Sequence, residues 1–186
     1  MRTPLLLLVF GSLALTACGG GGAPSVGTDT ATSPAPQTGT QGAGDQTMSR
    51  EEALILQQVN AARAEARLCG DVKFGATTPV SWNGYLGTAA RAHAADMAAR
   101  DFFAHVNPDG KRVRERAEAA GYTGWRELGE NIAAGFAPEE VVEGWLSSTS
   151  HCKTLMDPSF RELGVGYTEA TGKTYGNYWV QNFGTR

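Results

Sequence analysis

An α+β fold, with helices packed against a mainly antiparallel sheet, is predicted by three features of this 186-residue chain. Helical periodicity of apolar residues fills most of the region from Ser49 onward. Strand-like alternation is confined to the C-terminus. No strand signal is interleaved with the helices, as a doubly wound parallel sheet would require. Residues 49–186 hold all four tryptophans and are long enough for one domain with its own core.

The first helix opens at Ser49, where Ser49 and Glu52 form a capping box, and Ala53, Leu54, Leu56, Val59, Ala61 and Ala62 carry it to about Arg67, just before Cys69. After a loop with Gly70, Gly75 and Pro79, Val80-Ser81-Trp82-Asn83 leads into a second amphipathic helix. Leu86, Ala89, Ala90, His93, Ala94 and Met97 line its apolar stripe, which ends near Arg100. Phe102-Phe103-Ala104-His105 enters the turn Asn107-Pro108-Asp109-Gly110. A charged helix follows from about Lys111 to Ala120, closed by Gly121. A fourth helix opens at Pro138, with Glu139 and Glu140 favourable to its dipole, and buries Val141, Val142, Trp145 and Leu146. Two strands then alternate around Leu163, Val165 and Tyr167 and around Tyr178, Val180 and Asn182, joined by a turn near Gly172.

Ahead of the domain the chain reads as an export leader and a tether. Arg2 precedes the apolar run Leu5-Leu6-Leu7-Leu8-Val9-Phe10, too short for a comfortable membrane span, and Leu15-Thr16-Ala17-Cys18 has the apolar-x-small-Cys pattern of a lipoprotein cleavage site. Residues 1–17 are thus expected to be removed and Cys18 lipidated, anchoring the chain to a membrane of the bacterial cell envelope, facing the periplasm or exterior. Residues 18–48 are almost wholly small and polar, so they are expected to form a flexible tether with a span of about 30 Å.

Charge excludes one class of partner. Sixteen basic and nineteen acidic residues give a formal net charge of -3, with no basic run, so nucleic acid is not expected. Cys69 and Cys152 are the only cysteines left after lipidation, and an exported domain meets an oxidising compartment, so they are expected to pair. A reactive thiol or a metal ligand stays open, because Cys152 adjoins His151.

Of the three histidines, His93 falls on an apolar helical stripe and reads as a hydrogen-bonded core residue. His105 precedes a Pro-Asp-Gly turn and His151 follows the Trp145 helix, so both are placed in loops, where side chains converge above a scaffold. Glu130 sits in Gly129-Glu130-Asn131-Ile132-Ala133. Ser147, Ser148 and Ser150 stand near His151, but no Gly-x-Ser-x-Gly elbow accompanies them, and serines after a helix usually end it. Trp125, Trp145, Trp179, Tyr167 and Tyr178 read mainly as core, with one or two at a cleft rim.

Six motifs in order complete the reading: His105-x-x-Pro-Asp-Gly, Gly-Glu130-Asn-Ile-Ala, Trp145-x-x-Ser-x-x-His151, the Pro158 turn, Leu163-Gly-Val-Gly-Tyr and Tyr178-Trp-Val-Gln-Asn-Phe. Together they resemble the bacterial branch of the CAP superfamily (SCP-like extracellular; cysteine-rich secretory, antigen five and pathogenesis-related one proteins) over nearly all of residues 49–183. The resemblance implies a three-layer α-β-α sandwich and a central cleft whose floor holds two histidines and two acids. The histidines correspond to His105 and His151 and one acid to Glu130. The second acid's position is Ser148, so the tetrad is incomplete. Some members of the family hold a divalent metal such as zinc through the histidines, which would make His105 and His151 its ligands here.

Two functional classes follow. One is a membrane-anchored binding or interaction module whose cleft takes a lipid, glycan or protein ligand. The other is a metal-assisted hydrolase or peptidase using His105, Glu130 and His151; against it stand the lack of an HExxH motif and of a second carboxylate to act as general base. A third reading, a structural spacer or adhesive surface component, leaves the cleft without a role.

Overall fold

The computed structural model describes residues 47–186; the leader, Cys18 and the tether up to residue 46 lie outside them. Eleven elements follow in order among the described residues: α1 (Arg50–Arg63), β1 (Arg67–Cys69), β2 (Val72–Phe74), β3 (Ser81–Trp82), α2 (Gly84–Arg100), α3 (Val113–Ala120), β4 (Glu127–Ala134), α4 (Val141–Ser147), α5 (Thr149–Met156), β5 (Glu162–Glu169) and β6 (Asn177–Thr185).

The main sheet has the order β3-β5-β6-β4. Only the short β3 to β5 pairing is parallel, so the sheet is mainly antiparallel as expected. Because successive side chains on a strand point to opposite faces, each strand feeds two cores. Leu163, Val165, Trp179 and Phe183 meet Ile55 and Val59 of α1, Val141 and Trp145 of α4, and Leu155 and Met156 of α5. On the reverse face, Ile132, Tyr178 and Val180 meet Ala90, Ala94 and Met97 of α2. The result is the α-β-α sandwich.

The helix ends follow local chemistry. Ser49 Oγ accepts from Glu52 N–H while Glu52 Oε2 accepts from Ser49 N–H, the expected capping box. Asn83 caps α2 by accepting from the N–H groups of Tyr85 and Leu86. Gly121, at φ +101°, ends α3 in the left-handed region that glycine favours.

Four expectations are corrected. The first helix stops at Arg63 instead of near Arg67, because Arg67–Cys69 pairs with Val72–Phe74 as a hairpin. Strand structure is not confined to the C-terminus: β4 runs through the Gly129 to Ala133 motif and is paired along its whole length with β6. The fourth helix begins at Val141 instead of Pro138, and His151 lies within the further helix α5 rather than in a loop.

Helix α5 is fastened at both ends. Cys152, near its start, is joined to Cys69 by the expected disulfide, which ties the β1-β2 hairpin to it. At its other end, the fully buried Arg63 donates to the carbonyls of Leu155, Asp157 and Phe160, with a further bond to Thr78 O. A cation there satisfies carbonyls that a helix C-terminus leaves unpaired.

Candidate functional site

The site is built around β4, one of the two edge strands of the main sheet. Its consecutive residues Glu130 and Asn131 point to opposite faces, Glu130 toward the α2 layer and Asn131 toward the α5 layer. Each holds one histidine-bearing segment.

Glu130 holds His105. Its Oε1 accepts from His105 Nδ1 at 2.8 Å. Its Oε2 accepts from Arg116 Nη2 at 2.6 Å, and Asn182 Nδ2, with its amide oriented toward the carboxylate, donates to the same oxygen at 3.1 Å while its Oδ1 accepts from Ala90 N–H. The Glu130 side chain is 4 % exposed and Arg116 is 7 % exposed, whereas His105 is 53 % exposed. A buried carboxylate therefore orients an accessible imidazole. With Nδ1 engaged by Glu130, the His105 Nε2 is the ring nitrogen without a partner among the described residues.

Arg116 also donates to the carbonyls of His105 and Lys111, so one guanidinium fixes both the backbone and, through Glu130, the ring of His105. Asn107 completes the loop: its Oδ1 accepts from the N–H groups of Asp109 and Lys111, an Asx turn. The buried His93 Nε2 lies 3.0 Å from Ala104 O, beneath the same loop, as a core histidine should. Burial, reinforced by the Arg116 charge, holds the His93 pKa below its ordinary value.

Asn131 holds the other side. Its buried Nδ2 donates to His151 O at 3.1 Å and to Gln181 Oε1 at 3.2 Å. The His151 pKa is lowered by burial first and then by His105. Ser148, at the junction of α4 and α5, lines a pocket with His151, and its hydroxyl lies 3.4 Å from Ser150 Oγ. Trp145, Trp179 and Tyr178 are core; Trp125 and Tyr167 pack at core margins.

The predicted trio thus meets unequally. His105 and Glu130 touch, whereas His151 is tied through its backbone carbonyl to Asn131, the next residue of the strand. Among the described residues no group of three or more His, Cys, Asp or Glu side chains is arranged to hold a metal ion. Both Glu130 oxygens are committed, leaving the two imidazoles as available nitrogen donors. A hydrolytic zinc centre needs three protein ligands and an open position, and this donor set does not supply them.

Arg116 is not singled out by the sequence. Arg116 stood among the alternating charges of the third helix, where an exposed face is the usual reading. Its one distinguishing signal is its place beside the small Ala117, which α3 buries with it.

The fold agrees with comparisons to known proteins. The description of the cysteine-rich secretory protein family, CAP, matches residues 56–183. The chain belongs to this family. It is 31 % identical to the Bacillus subtilis protein YkwD over 150 residues, covering 80 % of this chain and 52 % of that one. The chain therefore spans about half the length of this relative. Among solved structures, an extracellular SCP-domain protein of Bacillus anthracis is 29 % identical, with a TM-score of 0.52 over 59 % of this chain and 35 % of that one. An outer surface protein of Borrelia burgdorferi shares the fold, with a TM-score of 0.62 at 19 % identity over 77 % of this chain and 98 % of that one. Of these relatives, the Bacillus anthracis protein is extracellular and the Borrelia burgdorferi protein is an outer surface protein.

Proposed function

We propose that this chain is an envelope-anchored CAP protein, tethered by lipid on Cys18, whose cleft binds a ligand without turning it over. The observation that carries the reading is the commitment of Glu130. The metal-assisted hydrolase considered from the sequence needs Glu130 free to take a proton from water or to complete a metal's ligand set. Here both oxygens are engaged by His105, Arg116 and Asn182. Glu130 serves instead to orient His105, whose Nε2 can accept a hydrogen bond from a ligand.

Two assays test this. Metabolic labelling with an alkyne-bearing fatty acid should mark the wild type and not Cys18→Ser. Protein purified without chelators should carry no stoichiometric zinc and cleave neither peptide nor ester panels. A metal-dependent turnover lost in both His105→Ala and His151→Ala would overturn the binding reading in favour of a hydrolase.

A further inference from the structure

We propose that the cleft accepts an extended peptide, which pairs with the outward-facing peptide groups of β4 that have no partner among the described residues and buries one bulky apolar side chain in the pocket beside His151. The inference rests on reading the cleft as a ligand site and names the class of ligand.

The backbone of β4 supplies the first argument. Gly135 N–H donates to Asn177 O, continuing the β4 to β6 register, so odd-numbered residues direct their peptide groups at β6. Leu128, Glu130, Ile132 and Ala134 consequently direct theirs away from the sheet. Ile132 O accepts from Trp145 Nε1 at 3.1 Å. Neither the Ile132 N–H nor the N–H and C=O of Ala134 has a partner among the described residues. Unpaired donors and acceptors at strand spacing are the complement of another extended chain, and of few other ligands.

The pocket supplies the second. A cavity of about 270 Å³ lies against Ile132–Ala134 and is walled by Phe103, Phe136, Trp145, Tyr175, Ser148 and His151. It falls just below the range of roughly 300–1,000 Å³ typical of drug-sized ligands, which suits a single side chain better than a large molecule. Its rim is fixed beforehand. Gly135, at φ +78°, turns the chain off β4, and Phe136 O accepts from Asn177 Nδ2 and Trp179 Nε1, both at 3.0 Å. The Phe103 ring packs on Tyr175 at 5.5 Å, and Tyr175 meets Tyr178 edge-on at 5.8 Å. Phe103, Phe136 and Tyr175 nevertheless remain exposed, and rigid aromatic walls reduce the entropy lost on binding.

Charge supplies the third. Glu140 lies one turn before Gly144, the small residue on which the Phe136 ring rests, and it is exposed with no ion pair among the described residues. A lysine or arginine next to the inserted side chain would complement it.

The test uses the full chain and an acetylated, amidated heptapeptide of alanine and lysine with one central phenylalanine, followed by amide NMR. Binding should shift the Ile132 and Ala134 amides and slow their hydrogen exchange at least tenfold. Methylating the peptide's backbone nitrogens on one edge should weaken binding at least tenfold. Glu140→Lys should weaken the lysine-bearing peptide and spare an all-alanine version. Gly144→Leu should abolish binding, since a Cβ there would meet the Phe136 ring at 2.8 Å; if that variant does not fold, the methylated peptide on wild type decides. The peptide proposal is overturned if methylation has no effect, or if N-acetyl-phenylalanine amide binds the pocket as tightly as the heptapeptide. In those cases the cleft survives as a site for small apolar ligands. Should neither probe shift any residue of the pocket, the cleft reading fails with it.

Discussion

The guanidinium of Arg116 meets the carboxylate of Glu130 at 2.6 Å with both side chains almost wholly out of solvent. Breaking such a pair by removing one partner leaves an uncompensated buried charge, which costs about 3–5 kcal/mol. Arg116→Met is therefore expected to destabilise the protein by that amount in urea denaturation. It should also release His105, seen as rotational averaging of its ring signals by NMR. A loss below about 1 kcal/mol, within the range of exposed ion pairs, would show that the pair is not the cleft's anchor.

The Cys69 to Cys152 disulfide closes a loop with a sequence separation of 83. The chain-entropy model assigns such a cross-link about 4–5 kcal/mol. Cys69→Ser combined with Cys152→Ser should lower stability accordingly. It should also raise hydrogen exchange along α5 more than along α2, because only α5 is held by the bridge. Equal increases in both helices would argue against that selective role.

Helix α2 lies directly on β5. A Cβ at Gly164 would fall 2.0 Å from Gly87 N, and one at Gly166 would fall 2.3 Å from Ala90 C, both backbone atoms that have no rotamer to move. Overpacking against side chains usually costs about 1–3 kcal/mol, so Gly164→Ala should exceed that or fail to fold. Thermal melting measures it; a variant within 1 °C of wild type would contradict the packing.

His93 and His151 both have folded-state pKa values below the ordinary 6.5, principally through burial. The unfolded chain then takes up protons before the folded one as pH falls. Stability is fully present above about pH 6.5 and is lost progressively below it. His93 is faced by Arg116 from α3, Glu130 from β4 and Asp96 from its own helix. His93→Gln should flatten the dependence of the urea midpoint on pH between 7.5 and 5.5. An unchanged slope would assign the effect to other groups.

Much of this was legible in the sequence because it is local or periodic. The capping box at Ser49, the stripe of α2 and the alternation of β5 and β6 all write their structure within a few residues. Strand β4 does not. Glu127-Leu-Gly-Glu-Asn-Ile-Ala-Ala has no clean alternation, because Glu130 faces inward against Arg116 and Asn131 is buried on the reverse face. Its strand character comes from β6, some fifty residues away. Helix α5 was hidden in the same way. Its serine-rich start reads as a loop, and it is held by Cys69 and Arg63 from distant segments. His105 and Glu130 were found as residues, yet their bond depends on Arg116, whose role no local pattern signals.

The alternation of Glu130 and Asn131 has a consequence for variation within the site. One peptide unit carries the grip on both walls, so inserting or deleting a single residue in β4 would exchange the two side chains and release His105 and the His151 helix together. The Phe103 and Tyr175 segments that rim the pocket lie outside this strand. Their side chains can diverge at fixed length, which allows new ligand preferences to arise while the imidazole frame is inherited unchanged.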